Sequence, residues 1–581
     1  MGKDFAGLGT PVPKKPYHPS GPLPIIPESR DLWTRSESNM ETLRLAPGCQ
    51  RQSCWAFRDS FKGLVALEII IDLPIGFPIN NFISLPSHII VKRKYTIDPK
   101  TGLNTFNRWK ARLVFNGKNQ KDHGSTYSPT PYFATIRTIL ATCCTKDWVL
   151  LHLDLGNALC GTKLIGRNVY VKPPPHCAPP NKLWRIKKSV YGLKDSNREF
   201  YNAFKQLVLE FRYSESQLRF KKSQSEPCMY ILHDNQDKPL AIMIGYVDDL
   251  IVADKSDNQT ITKELIKHLQ TGWSVTLEGQ LERFLGVHFK RGKDGSWSYD
   301  CSAYITKSAE KFNQHPIPKD PTTPFPCKFS IETADWDNYK ENTKTTKHYQ
   351  SCLGVLIYAV TCGRPDIAYH VSAMSQFLTR PTPKLIDAAY RVMGYLLKTK
   401  EQTITYRLPS NPALHYRIYA ACDAGWAGCT LTRRSQQGYV LWYNGGPISW
   451  RSNRQETVAL STAEAELISL VTCGKEVRHK AKILGDLGYP QRRNTIMEDN
   501  RAAIALTEQN MSHNGTRTKH MDLKYKWIEE QVEAGTLVPQ YTPTNLNPAD
   551  IFTKNLPRET FNRLLKFILE PAINPTPPES D

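Results

Sequence analysis

Apolar and polar positions alternate in blocks along this chain, and the blocks change period. The run AIMIG and the run LIVA flank Tyr246–Asp249, giving AIMIGYVDDLIVA over 241–253. Short unbroken apolar runs of this kind mark strands buried on both faces. The pair reads as a buried hairpin with two adjacent carboxylates, Asp248 and Asp249, at its tip. Upstream, WVLLHLDLGNAL (148–159) reads as another strand, with Asp154 near its end. Strand-like and helix-like runs alternate from about 91 to 305, which predicts a mixed α/β domain. YQSCLGVLIYAV and AAYRVMGYLLK then carry helical spacing over roughly 349–400. From about 415 a second α/β pattern follows: HYRIYAACDA, then GYVLWY, then a helix from about Ser461.

Punctuation sets the outer limits. Residues 1–30 hold Pro11, Pro13, Pro16, Pro19, Pro22, Pro24 and Pro27, a composition expected to be disordered or extended. A polar, proline-containing stretch runs from about Pro316 to Lys347, and the tail after Glu570 is again proline-rich. The expected division is an N-terminal region 1–90, a mixed α/β region 91–330, a largely helical stretch 331–412, a second α/β domain 413–567 and a disordered tail 568–581.

Charge narrows the class of partner. The 581 residues carry a net charge of +21, with 76 Lys and Arg against 55 Asp and Glu. A surplus of that size fits a polyanion, nucleic acid first, although a merely basic soluble protein is the plainer alternative. The fourteen cysteines show no C-x-x-C pair and read as buried thiols in a reducing compartment. The most apolar stretch, LVALEIIIDLPIGF, is broken by Glu68, Asp72 and Pro74, so no membrane span is expected. Without a secretion signal the expected compartment is the cytoplasm, with a virus-like particle or the nucleus as further destinations.

Two adjacent acids on a tight turn repel, and burying them bare costs several kcal/mol per ion. A hard cation relieves this, and magnesium prefers carboxylate and phosphate oxygens. Asp154, Asp248 and Asp249 therefore suggest one magnesium site across neighbouring strands, suited to phosphoryl transfer. The alternative is that Asp248 and Asp249 are ordinary turn residues. A second set of acids lies at the ends of elements: Asp423 after HYRIYAAC, Glu466 in STAEAELISLV, Asp499 in MEDNRAAI and Asp550 in NPADIFTK. Gathered together they would again hold two magnesium ions. Each alone reads equally as a helix cap or an exposed charge.

The order of motifs adds a family. RWKARLV (108–114), TYSPTPYFATIRTIL (126–140), LHLDLGNAL (151–159), VYVKPP (169–174), KKSVYGLKDSNREFY (187–201), YVDDLIVA (246–253) and FLGV (284–287) occur in sequence. Together they resemble the reverse transcriptase of copia-type LTR retrotransposons. CDAGWAG (422–428), RRSQQGYV (433–440), GGPISWRSNRQETVALSTAEAE (445–466), EDNRAAI (498–504), TRTKHMDLKYKWI (516–528) and NPADIFTK (547–554) resemble the RNase H domain of the same polyproteins. GRPDIAYHVSAMSQFL (363–378) resembles their connection segment.

The resemblance implies a multidomain α/β and α+β chain. A right-hand polymerase of fingers, palm and thumb is followed by a helical connection and an RNase H-like mixed sheet with helices. It makes Asp154, Asp248 and Asp249 the polymerase acids, and Asp423, Glu466, Asp499 and Asp550 the nuclease acids. Glu466 is preferred over Glu464 because AELISL matches the glutamate-bearing helix start. Lys110 and Arg112 would meet the incoming triphosphate, with a solvated basic strand as the alternative, and FLGV would lie near the primer grip. His520 is a candidate for proton transfer, against an ordinary helix-face histidine. The implied cofactor is Mg2+, two ions per active site. The implied partners are an RNA template, a DNA primer, an RNA–DNA hybrid and deoxynucleoside triphosphates, with no membrane and an open oligomeric state.

Two places depart from the family. Leu159 stands where an aromatic usually supports the sugar of the incoming nucleotide, which makes it a substrate-binding candidate with reduced discrimination against ribonucleotides. YGLKDSNR replaces YGLKQAPR, putting Asp195 and Asn197 near the expected triphosphate pocket. These departures support an alternative: a decayed remnant that binds nucleic acid without polymerising, or that retains the nuclease alone. The family's upstream zinc knuckle, protease and integrase motifs are absent from this sequence, so the chain is expected to be a fragment or a separately encoded remnant.

Overall fold

The apolar runs around Asp154 and Asp248 form neighbouring strands of one six-stranded sheet. In this computed structural model its order is Ser274–Gln280, Val149–Gly156, Asp249–Asp254, Pro239–Tyr246, Met229–His233 and Phe220–Lys222, antiparallel throughout. The structure describes residues 70–73, 84–97, 104–121, 124–160, 162, 169–174, 181–337, 339–508 and 519–569. The proline series and the C-terminal tail lie outside them. The described residues divide between two units, Met1–Asn116 with Val169–Ile186, and Gly117–Asn168 with Lys187–Asp581.

The first unit contains a four-stranded sheet in the order Ile70–Asp72, Trp184–Ile186, Val169–Val171, Ser84–Leu85. It also contains a long hairpin, Ser87–Ile97 with Asn104–Phe115.

In the second unit the six-stranded sheet is covered on both faces, which is why its strands read as continuous apolar runs. Alternate residues face opposite sides. Ile242, Ile244, Ile251 and Ala253 pack with the helix Phe133–Thr142. Met243, Leu250 and Val252 pack with the helices Ser196–Glu210 and Thr260–Leu269. A second antiparallel sheet, ordered Arg283–Phe284, Val287–Arg291, Trp297–Asp300, Ile404–Tyr406, follows it. Its first hairpin turns on Leu285 (φ +49°) and Gly286 (φ +76°), the two positive dihedrals that a type I′ turn requires.

The expected helical connection is present as Thr343–Cys362, Ala368–Ser375 and Pro383–Lys398. Asn342 caps the first by accepting from the Lys344 and Thr345 N–H groups, and Thr382 caps the third. Behind GRPD lies a buried pair: Arg364 grips Asp366 through Nε (3.0 Å) and a terminal nitrogen (2.6 Å), and the Tyr395 hydroxyl adds a bond at 2.9 Å.

The C-terminal sheet has five strands ordered Gly446–Arg454, Gln436–Tyr443, Ile418–Gly425, Asn494–Glu498, Leu537–Tyr541. The first three are antiparallel and the last two join in parallel. With the 25-residue helix Thr462–Asp486 against it, this is the RNase H-like mixed sheet expected from the sequence. Four polar ties bind it to the rest of the unit. Arg137 donates to the carbonyls of Ile448 and Thr361, both at 2.8 Å, and its guanidinium lies 3.7 Å over the Trp450 ring. Trp450 donates to Val360 O, Asn444 to Ala141 O, and the Asp486 carboxylate accepts from Ser223 and Ser225. No helix among the described residues is long and apolar enough to cross a membrane.

His370 gives the fold a pH dependence. It is 2% exposed, flanked by Phe325 and Phe561, and burial pushes its imidazole down to about 3. The folded protein holds it neutral while the unfolded chain protonates it near 6.5. Its contribution is therefore complete above about 6.5 and is lost as pH falls toward 3. His370→Phe should flatten the acid limb of a urea-midpoint-against-pH curve in that window. A limb of unchanged slope would show that other groups set it.

Candidate active sites

The polymerase-type acids meet through strand register. Asp154 and Asp249 lie directly opposite each other, and the backbone N–H of Leu155 donates to Asp248 O at 2.8 Å. Tyr246 pairs with Asp249, so Val247 and Asp248 form a two-residue loop. All three acids are half-buried. The structure adds His152, whose Nε2 sits 3.2 Å from Asp249 Oδ1, and this hydrogen bond holds the imidazole above its usual range. The other edge of His152 meets Phe284 of the FLGV turn, ring centroids 5.7 Å apart. The motif near the expected primer grip thus reaches the acids through one histidine.

The remaining polymerase candidates lie on other elements. Lys110 and Arg112 belong to the first unit, on the strand Asn104–Phe115, opposite Lys92 and Ile90. Leu159 is 9% exposed and packs in one apolar cluster with Phe200 and Trp273. Asp195 is not an exposed charge. It is fully buried before the helix Ser196–Glu210, accepting from Gln120 Nε2 at 3.3 Å, with Arg198 4.0 Å away. Both departures from the family have packing or hydrogen-bonding roles here.

The nuclease-type acids converge more tightly. Oxygens of Asp423, Asp499 and Asp550 lie within 4.8 Å of one another, and so do those of Glu466, Glu498 and Asp499. Among the described residues these are the two acidic groups so close, and the palm trio is not one of them. Asp423 lies on the central strand Ile418–Gly425, Asp499 just beyond the fourth strand, and Asp550 in the helical turn Pro548–Phe552. Asn547 anchors that turn by donating to Cys422 O at 2.9 Å.

The choice between Glu464 and Glu466 follows from capping. Ser461 accepts from the Glu464 N–H at 3.1 Å, and the Glu464 carboxylate reaches back to the Leu460 N–H at 2.7 Å, a capping-box arrangement. Glu464 is thereby committed to the helix start. Glu466, two residues on, is 7% exposed and turned toward the other acids. The His520 side chain lies outside what the structure describes.

These acids cannot all be charged without a cation. Burial, then the neighbouring Glu498 and Asp423, pushes Glu466 up to about 11. Burial and Asp423 push Asp550 up to about 7, and the same two causes raise Asp499. Among the described residues the cation paired with these acids is Lys554, whose Nζ lies 2.7 Å from Asp550 and 3.2 Å from Asp423. Thr553 also donates to the Asp423 carboxylate. Sequence reading missed Lys554 and Glu498. The signal for Lys554 was its place four residues after Asp550, one helical turn away. Glu498 was hidden beside Asp499.

An all-oxygen donor set with the Glu466 Oε2 lacking any hydrogen-bond partner fits magnesium. Lys554 occupies the cation's role between Asp423 and Asp550. Lys554→Met should lower the metal-free melting temperature, at about 1–3 kcal/mol for an uncompensated buried polar group, and magnesium should restore more of it than in the parent. Equal magnesium-induced shifts would show that lysine and metal do not compete.

Residues 80–322 match the family described as “Reverse transcriptase (RNA-dependent DNA polymerase)”. The chain therefore carries a reverse-transcriptase domain. Among relatives, the Retrovirus-related Pol polyprotein from transposon TNT 1-94 of Nicotiana tabacum is 32% identical over 78% of this chain and 33% of its own length. That from transposon RE1 of Arabidopsis thaliana is 30% identical over 82% and 31%. The Transposon Ty1-NL2 Gag-Pol polyprotein of Saccharomyces cerevisiae is 24% identical over 81% and 27%. The first match spans 463 residues, longer than the reverse-transcriptase stretch. The chain is similar to these Pol polyproteins, and it spans about a third of the length of the two plant relatives. A solved foamy viral protease-reverse transcriptase in complex with double-stranded DNA aligns at TM-score 0.47 and 12% identity, covering 86% of this chain and 70% of that one.

Proposed function

We propose that this chain is an RNA-directed DNA polymerase with ribonuclease H activity from a copia-type element. The observation that carries the reading is the reverse-transcriptase match over 80–322, with opposed aspartates on its central strands, followed by a second acid cluster on an RNase H-like sheet. The functional division is 91–330 for polymerisation, 331–412 for the connection and 413–567 for hybrid cleavage. Template RNA, primer DNA, their hybrid and deoxynucleoside triphosphates are the substrates and partners. The cytoplasm is the place of action, with a virus-like particle or the nucleus as further destinations.

Asp154, Asp248 and Asp249 would hold magnesium in the polymerase site, and Asp423, Glu466, Asp499 and Asp550 in the nuclease site, two ions in each. Bound magnesium supplies charge stabilisation to the transferring phosphoryl group. The chain's own residues do the positioning. The hairpin register fixes Asp249 against Asp154, and His152 orients the Asp249 carboxylate. In the nuclease site Lys554 and Thr553 hold Asp423 in place. RNA in the hybrid is distinguished by its 2′-hydroxyls and helix shape.

Asp248→Asn should reduce primer extension on an RNA template at least about 100-fold, equivalent to about 2.7 kcal/mol of transition-state stabilisation. Hybrid cleavage should persist in that variant. Glu466→Gln should do the reverse. Loss of both activities in either variant would mean that the residue supports the fold instead of one site.

Affinity for duplex should fall steeply with salt, because the +21 net charge supplies many phosphate contacts. Each neutralised phosphate adds about −0.9 to the slope of log K against log salt. A slope near zero would remove the electrostatic part of this reading.

A further inference from the structure

Glu498 ends the fourth strand of the RNase H-like sheet and is fully buried. Its Oε2 lies 3.2 Å from the Cys422 thiol, and its Oε1 accepts from the Asn500 N–H at 3.1 Å. Its oxygens share a volume with those of Glu466 and Asp499, all within 4.8 Å. Glu466 is 7% exposed, and its Oε2 is buried with no partner. A bare buried carboxylate oxygen facing two other acids is an expensive arrangement unless something positive lies among them. Lys554 does not serve there, because its ammonium lies between Asp423 and Asp550. Among the described residues no basic side chain lies within 4.0 Å of the Glu466, Glu498 or Asp499 carboxylates.

We propose that Glu498 is a metal ligand. Glu466, Glu498 and Asp499 form an inner divalent-cation position. It is separate from the outer position of Asp423, Asp499 and Asp550, and Asp499 is shared between the two. Three carboxylates and no nitrogen or sulfur ligand select a hard ion, Mg2+ or Mn2+. A carboxylate common to both groups suits two ions roughly 3.5–4 Å apart. The Cys422 thiol and Asn500 N–H hold the Glu498 side chain without neutralising it. The inference rests on the nuclease reading of this site and adds a fifth acid to its four.

The competing account makes Glu498 a neutral, protonated side chain that only fills space. Glutamine separates the two, because it keeps the size and the Asn500 hydrogen bond while removing the charge. The test is Mn2+ binding by the full chain, read from the spin-resonance signal of free Mn2+. It is done in an Asp248→Asn, Asp249→Asn background so that the polymerase acids contribute little. The background chain should bind two ions, and Glu498→Gln should bind one, with affinity for the second lowered at least tenfold. Two ions bound with unchanged affinity in Glu498→Gln overturn the assignment, while hybrid cleavage by the chain with native Glu498 keeps the nuclease reading standing. No Mn2+ bound in the background chain overturns both. Should Glu498→Gln not fold, Glu498→Asp retains the charge but withdraws it by one methylene. The same tenfold loss is then expected, and undiminished affinity overturns the proposal.

Discussion

Carboxylates that cannot stand bare set the terms for both halves of this protein. Charge repulsion grows as the surrounding dielectric falls, so the same three or four acids behave differently by depth. The polymerase-type acids stay half-buried on a hairpin and the strand beside it, with His152 against Asp249. The nuclease-type acids lie deeper, where burial first and then the neighbouring acids raise Glu466, Asp499 and Asp550. A lysine is there because the fold has to place some cation between Asp423 and Asp550 when no metal is bound. The ammonium is tethered, one helical turn from its partner, and a divalent ion carries twice its charge. One tethered cation thus holds Asp423 and Asp550 together, and among the described residues it leaves the other acids of the cluster without a basic partner.

The second constraint is mechanical. Arg137 leaves the helix that backs the aspartate hairpin and ends on two carbonyls, one in the connection helix and one in the nuclease sheet, with Trp450 beneath it. A buried guanidinium with its donors engaged by backbone oxygens is costly to expose halfway. Asn444 and Asp486 repeat the tie from the other side. These contacts join the hairpin's backing helix, the connection and the RNase H-like sheet within one unit, so the two acid clusters share a frame. A hybrid engaged by both would meet them at a separation set by protein packing.

Local pattern made much of this legible. The paired apolar runs announced the hairpin, because a strand buried on both faces has nowhere to put polar residues except its ends. The acids stood out as charges at such ends. Glu466 was separated from Glu464 by the match of AELISL to a glutamate-bearing helix start, and the capping role of Glu464 became visible only in the fold. What stayed hidden depends on contacts distant in sequence. His152 is one residue among apolar neighbours until the strand Asp249–Asp254 is laid beside it. Arg137 reads as a charge on an apolar helix, and its acceptors lie more than two hundred residues away. Asp195 and Leu159 looked like damage because they were compared with a family pattern. In the fold each has neighbours that account for it.

The turn between Tyr246 and Asp249 shows how far position outranks comfort here. Val247 adopts φ +59°, a left-handed conformation that a β-branched residue tolerates poorly. The cost is about 1–2 kcal/mol by the handedness penalty for L-residues. A glycine would relieve it, although the FLGV hairpin likewise places a non-glycine, Leu285 at φ +49°, in its first loop position and keeps Gly286 for the second. The strain is sustained because a two-residue loop is the shortest that keeps Asp249 opposite Asp154 while leaving Asp248 O to accept from Leu155. A longer loop would free Val247 but let the two acids slide out of register, and a slip of one residue sends every side chain to the wrong face. Valine also stiffens the loop that it strains. A turn with glycine there would be cheaper to form and looser once formed, and a site that works by fixed geometry loses more from looseness than it gains in stability.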